Sequence, residues 1–217
     1  MIVGLVHPGE MGAAIGSRID ADVVWCSEGR SEATRVRAAG FRDVSWDELL
    51  RSDVLLSIVP PHAALDVARA AQGFEGIYVD ANAISPMRAQ EIAALHPRFV
   101  DGGIIGGPDD PRLYLSEPVL PNAIVVDDPS ALKMAFAAWS KGSAAMLLAI
   151  ERVARHYGVW DELPWDDALR ARVERAHRSA ETKGWRWIGE MEEIADTFAA
   201  AGEPDGFHRA AAEVYRS

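Results

Sequence analysis

Only three of the 22 basic residues in this 217-residue chain are lysines: Lys133, Lys141 and Lys183. Arginine stays protonated under ordinary conditions, so in a chain that relies on arginine a lysine marks a place where a titratable amine has a use. Chance is the alternative for any one of them. Lys133 opens a predicted helix, and Lys141 lies two turns further on and about 80° around it, placed to share a site with Lys133 or to replace it. A second group with chemistry in its spacing is the turn His7-Pro8-Gly9-Glu10-Met11-Gly12. It follows an apolar run and precedes a helical stretch at 13–19. A helix starting after such a turn aims unpaired N–H groups and the positive end of its dipole at one spot, which suits a pyrophosphate. On a G-x-G-x-x-G template, Gly9 and Gly12 supply the second and third glycines, for phosphate approach and for helix-on-strand packing. His7 stands at the first, where Pro8 stiffens the turn instead. The competing reading is an ordinary strand-to-helix turn with two incidental glycines.

The elements that must hold these groups alternate regularly. Strands are predicted at 1–6, 22–26, 53–59, 76–80 and 98–101, with short ones at 113–116 and 123–126. Helices fall at 31–39, 63–71 and 86–95, and a Ser45-Trp46-Asp47-Glu48 capping box opens another. This is a doubly wound, mostly parallel α/β sheet of the Rossmann type, in which ligands sit off the carboxyl ends of the strands. Ser27, Glu28, Arg30 and Ser31 then fall where such a fold reads the adenosine ribose. Arg30 and Ser31 suit the 2′-phosphate of NADP, whereas Glu28 favours NAD; the expectation is NADP, with NAD the alternative. Val59, Pro60, Pro61 and Asn82 fall beside the Gly9 turn. Asn82 either bonds a ribose or carboxamide or satisfies its own loop. The segment 102–107 (GGIIGG) is predicted as a loop in which Gly106 and Gly107 let a substrate approach the backbone, or else it marks a bulge.

At Asp127-Asp128-Pro129-Ser130 the character changes. One helix of about 40 Å is predicted over 131–157, stopped by Gly158, then helices at 166–182, 186–201 and 205–215. The expected domains are 1–127, binding the dinucleotide, and a smaller all-helical 128–217, for substrate and dimerisation. Lys183, Trp185, Arg186 and Trp187 form a cationic and aromatic cluster at a helix start, read as packing in preference to a site closure.

Composition excludes several classes. A net charge of −11 argues against nucleic acid or an anionic membrane as partner. No run of eighteen apolar residues occurs, and the chain opens as a strand with no basic leader, so neither a membrane span nor secretion is expected. The single cysteine, Cys26, reads as a buried thiol in a reducing cytoplasm. No metal site is expected.

In their order, these segments resemble the β-hydroxyacid dehydrogenases in the broad sense, which include 6-phosphogluconate and 3-hydroxyisobutyrate dehydrogenases. HPGEMG is similar to the family turn G-L-G-x-M-G, SIVPP to its strand-four loop and DANAISP to its D-x-N/S segment. DGGIIGG is similar to the substrate segment D-A-P-V-S-G-G, LKMAF to the helix with the catalytic lysine, and the segment from Met191 to the closing helices of the fold. The likeness is strongest to the short branch of phosphogluconate dehydrogenase-like NAD-binding proteins. The resemblance implies a nicotinamide-dependent oxidoreductase of small carbonyl or alcohol substrates, dimeric through its helical domain, with Lys133 as general acid or base. Beside a cationic nicotinamide its pKa would be pushed down toward a useful value. Three departures stand out: the family asparagine one turn after the lysine is Ala137, the substrate-binding serine is Ile105, and a later lysine falls at Glu192 or Glu193. They imply a more apolar substrate than the usual 3-hydroxy acid. They also keep open an imine reductase, or a protein that binds NADP(H) without turnover.

Overall fold

The computed structural model describes residues 1–216 and divides into two compact units, Met1–Lys133 and a second beginning at Met134. The first unit is built on an eight-stranded sheet: β1 (Ile2–Leu5), β2 (Asp22–Trp25), β3 (Arg42–Asp43), β4 (Val54–Ser57), β5 (Ile77–Asp80), β6 (Phe99–Ile105), β7 (Arg112–Leu115) and β8 (Ile124–Val125). The strand order is β3-β2-β1-β4-β5-β6-β7-β8. The first six strands are parallel; β7 runs antiparallel to β6 and parallel to β8. Parallel neighbours need crossovers, supplied by α1 (Glu10–Gly16), α2 (Glu32–Arg37), α3 (Trp46–Leu49), α4 (Pro61–Ala70) and α5 (Pro86–Ala93). The order reverses between β1 and β4, which opens a crevice at their carboxyl ends.

Helices on both faces explain why β4 is apolar throughout. Val54 and Leu56 pack with Val3, Leu5 and Ile15, while Leu55 faces Ala64, Ala68 and Ile92 on the other side. Cys26 is free and buried in the second of these clusters. The capping box forms as its sequence demands: Glu48 N–H donates to Ser45 Oγ and Ser45 N–H to Glu48 Oε2, both at 3.2 Å. Helix α1 starts at Glu10, one turn earlier than 13–19, because Gly9 is itself its N-cap.

The GGIIGG segment differs from its expected form. Gly102 to Ile105 continue β6 and pair with β7; only Gly106 and Gly107 lie beyond the strand. The glycines are there for closeness. A Cβ on Gly102 would lie 2.7 Å from the Asp80 carbonyl oxygen, and one on Gly103 would lie 2.9 Å from that of Pro129.

The second unit is helical. Helix α6 (Pro129–Ala137) runs through the boundary between the units into a π-helical turn, Ala138–Gly142, and then α7 (Ser143–His156), so the expected single α-helix is interrupted. A π turn displaces a carbonyl from the α-helical ladder, and here Tyr215 Oη donates to the Lys141 carbonyl at 2.6 Å. The two helices expected over 166–182 and 186–201 are a single 34-residue helix, α8 (Asp167–Ala200). Lys183, Trp185, Arg186 and Trp187 are therefore helix interior. Gly184 lowers helix propensity by about 1 kcal/mol relative to Ala, yet the helix continues through it, the residue being buried near Tyr215. Helix α9 (Gly206–Arg216) buries His208, Ala211, Ala212 and Tyr215, one apolar stripe at helical spacing.

Candidate active site

The carboxyl ends of β1, β4, β5 and β6 point the same way because these strands are parallel. At the end of β1 the chain turns through His7, Pro8 and Gly9. Gly9 N–H donates to His7 O at 2.8 Å, and the first helical bond, Ala13 N–H to Gly9 O, is also 2.8 Å. The opening turn of α1, at Glu10, Met11 and Gly12, thereby faces the crevice with its backbone donors. Gly12 is enforced by sterics: a Cβ there would lie 2.3 Å from the His7 carbonyl oxygen. At Gly9 the nearest group is the edge of the His7 imidazole, 3.2 Å from an added Cβ. His7 thus occupies the first-glycine position by lying against Gly9. With Gly9 as an N-cap that offers no side chain, the backbone donors of this turn fit a dinucleotide pyrophosphate.

The loop after β2 is held by charged side chains. Arg35, on the last turn of α2, reaches back to donate to Ser27 Oγ at 2.9 Å and to Ser27 O at 2.8 Å, while Ser27 N–H donates to Asp43 at 2.9 Å. These bonds from Ser27 hold the Asp43 carboxyl below its usual range. Ser31 caps α2, accepting from Thr34 N–H. Both serines are therefore committed to the loop itself. Arg30 is half-buried and donates to Val6 O at 3.3 Å, at the carboxyl end of β1, whereas Glu28 is exposed beside Gly29, whose φ is +70°. Arg35 was legible in principle, because helical side chains lean toward the N-terminus and so toward the loop that precedes α2.

Asn82 is buried, and its amide is engaged on both ends. Oδ1 accepts from Val59 N–H at 2.5 Å, and Nδ2 donates to Ser57 Oγ at 3.2 Å and to Asp80 at 2.8 Å. It clamps β4 to β5 and so positions Val59, Pro60 and Pro61. Neither proline has an N–H, so this corner presents apolar surface.

Lys133 reaches the same edge of the sheet. Ser130, fully buried, donates from its N–H (2.9 Å) and its hydroxyl (2.5 Å) to Asp101, at the heart of β6. Burial raises the Asp101 pKa, and the two bonds from Ser130 oppose that. Asp128 accepts from Ala131 N–H, fixing the first turn of α6. Gly103 lets this turn settle on the strand, its missing Cβ falling 3.1 Å from Lys133 Cβ. The half-buried ammonium then donates to Ile104 O at 2.7 Å. Beyond it, Gly106 has φ +106° and Gly107 is open to solvent. The half-buried Ile105 offers no polar side-chain group, and Ala137, in the second unit, is buried.

Lys141 is held by different groups, within the second unit. Its ammonium forms an ion pair with Glu190, both side chains being largely buried, and lies 5.9 Å from the centre of the Trp187 ring. Glu192 pairs with Arg216 and Glu193 is buried. No grouping of His, Cys, Asp and Glu that would hold a metal ion occurs among the described residues, and none of their helices is long and apolar enough to cross a membrane.

Comparison with known proteins places the chain. A family model described as a domain of unknown function, DUF1932, matches residues 154–217. An uncharacterised 28.5 kDa protein from the 7S RNA 5′ region of Methanothermus fervidus is 31% identical over 188 residues, 75% of this chain and 74% of that one. Conserved protein MTH1747, whose structure is described as similar to 3-hydroxyacid dehydrogenases, is 26% identical with a TM-score of 0.70, over 100% of this chain and 96% of that one. The 3-hydroxyisobutyrate dehydrogenase of Mycobacterium tuberculosis aligns at 13% identity and TM-score 0.62, over 99% and 92%. A reductive aminase from Aspergillus terreus, bound to NADPH and ethyl-5-oxohexanoate, aligns at 14% and 0.56, over 99% and 91%. The fold is shared with these dehydrogenases and with the reductive aminase.

Proposed function

The chain belongs to the family of the Methanothermus fervidus protein, with a 3-hydroxyacid dehydrogenase-like fold, and on that premise we propose that it is an NADP(H)-dependent oxidoreductase of small carbonyl or alcohol substrates. The observation that carries this reading is the anchored Lys133, whose ammonium sits on the Ile104 carbonyl at the sheet edge that also bears the Gly9 to Gly12 turn. The opening turn of α1 would hold the pyrophosphate. Arg30 and Arg35 would hold the 2′-phosphate, with NAD the alternative cofactor if Glu28 governs. The bound nicotinamide would supply or accept the hydride. Lys133 would deliver or remove the hydroxyl proton, starting from an ammonium already oriented by one backbone carbonyl. The apolar Ile105, one residue beyond the carbonyl that holds Lys133, favours a substrate body without a second charged group, and an imine is the alternative substrate.

We assign nucleotide binding to 1–127 and substrate contacts and dimerisation to 128–217. The dimer is supported by the exposed Met146, Ile150 and Val153 on α7 and Phe207 on α9. Light scattering should give twice 23.6 kDa; a clean 23.6 kDa species would remove the dimer.

The decisive test is a thermal-unfolding titration with NADPH, NADP⁺, NADH and NAD⁺. At a hundredfold excess over Kd a ligand stabilises by about 2.7 kcal/mol, raising Tm by about 5–10 °C. The NADPH shift should shrink in Arg30→Ala, while a larger shift with NADH would reassign the cofactor. A protein that shifts with none of the four is not a dinucleotide enzyme.

A further inference from the structure

The second unit contains a pocket of about 270 Å³ whose lining is unlike the composition of the chain. Residues 140, 143, 144 and 147 face it from the π turn and α7, and 172, 175, 176 and 179 face it from α8. Both sets follow the i, i+3, i+4, i+7 spacing of a single helix face. Such facing stripes are ordinarily apolar and interlock. Here they carry Ser140, Ser143, Arg172, Arg175 and Ser179, with Trp187 completing the lining. Among the described residues no carboxylate lines the pocket, in a chain with 33 acidic and 22 basic residues.

Among the described residues no carboxylate pairs with either arginine. Among the described residues Arg175 makes no hydrogen bond or ion pair, and the contact of Arg172 is with the Trp139 ring, 5.7 Å from its centre. Two guanidiniums one helical turn apart can engage a planar or tetrahedral oxyanion through paired N–H donors, and serine hydroxyls supply further donors. The π turn adds an independent indication, because such segments recur at functional sites. Its energetic cost here is met by Tyr215.

We propose that this pocket binds a small organic oxyanion, a phosphate monoester or a carboxylate with a compact planar body. Arg172, Arg175 and the serines hold the head group, and Trp187 lies against the body. The volume falls near the lower end for small-molecule pockets and is too small for a dinucleotide. The site is complete within the second unit and does not depend on the cofactor reading.

Calorimetric titration of the full chain with phenyl phosphate, benzoate and benzyl alcohol, in buffer free of phosphate, tests it. Saturable binding of phenyl phosphate or benzoate is expected, and whichever binds identifies the head group. Benzyl alcohol should not bind. Arg172→Ala and Arg175→Ala should each weaken binding by about tenfold or more, with an unchanged circular dichroism spectrum, since both side chains are exposed. The proposal is overturned by absence of saturable binding of both anions, by equal binding of benzyl alcohol, or by undiminished affinity in the double arginine variant.

Discussion

Replacing Lys133 with methionine is expected to slow turnover by about 10²- to 10⁴-fold, the usual contribution of a positioned acid or base, and to leave NADPH binding intact. Methionine keeps the aliphatic stem that packs over Gly103 and removes only the amine. Three anchors place that amine: the Ser130 to Asp101 bonds, the Gly103 gap and the Ile104 carbonyl. All three survive the substitution except the last. Lys133→Arg is the sharper companion, because it retains the charge and the donor but cannot release a proton; it should be as slow as the methionine variant. Single-turnover kinetics with NADPH and a panel of small ketones, aldehydes and imines measures both. If Lys133→Arg keeps wild-type rates, the residue is an electrostatic anchor and the proton comes from elsewhere. If the wild type binds NADPH tightly and reduces nothing in the panel, the protein that senses or assembles with NADP(H), without turnover, is the better description.

Gly12→Ala should abolish the NADPH-induced rise in Tm and lower the stability of the apo protein by about 1–3 kcal/mol, the cost of overpacking a close contact. The added methyl would lie 2.3 Å from a backbone oxygen, which has no rotamer to relieve it. The helix must then move off the strand, taking its donors away from the phosphates. Gly40→Ala is the matched control, since nothing lies within 4 Å of a Cβ there. Melting curves of both variants with and without NADPH make the comparison. A full NADPH shift in Gly12→Ala would mean that the phosphates are held elsewhere.

What could be read from the sequence was whatever depends on neighbours within a few residues. The apolar runs of β1 and β4, the capping box at Ser45, the N-cap serines at 31 and 85 and the prolines opening α4 and α5 act through contacts of one to four positions, so they appear as local pattern. From these, strand and helix alternate, and the place of the crevice follows from the topology. The strand-to-helix turn was legible because Gly9 and Gly12 are three residues apart and meet one local geometric demand.

The tertiary structure decided everything that rests on distant partners. Gly102 and Gly103 read as loop because glycine is rare in strands; they belong to β6 because they pair with β7, where Asp80 and Pro129 leave no room for a side chain. Gly184 reads as a helix break, yet α8 passes through it where the residue is buried near Tyr215. The π turn at 138–142 leaves no pattern, since the group that satisfies its carbonyl lies 74 residues away. The difference between the lysines has the same origin. Both sit on what reads as one helix, but the backbone carbonyl at 104 holds Lys133 and the carboxylate at 190 holds Lys141. Sequence spacing along a helix sets where a side chain leaves the backbone; the elements folded against that helix determine the charge, the donor or the void that it meets.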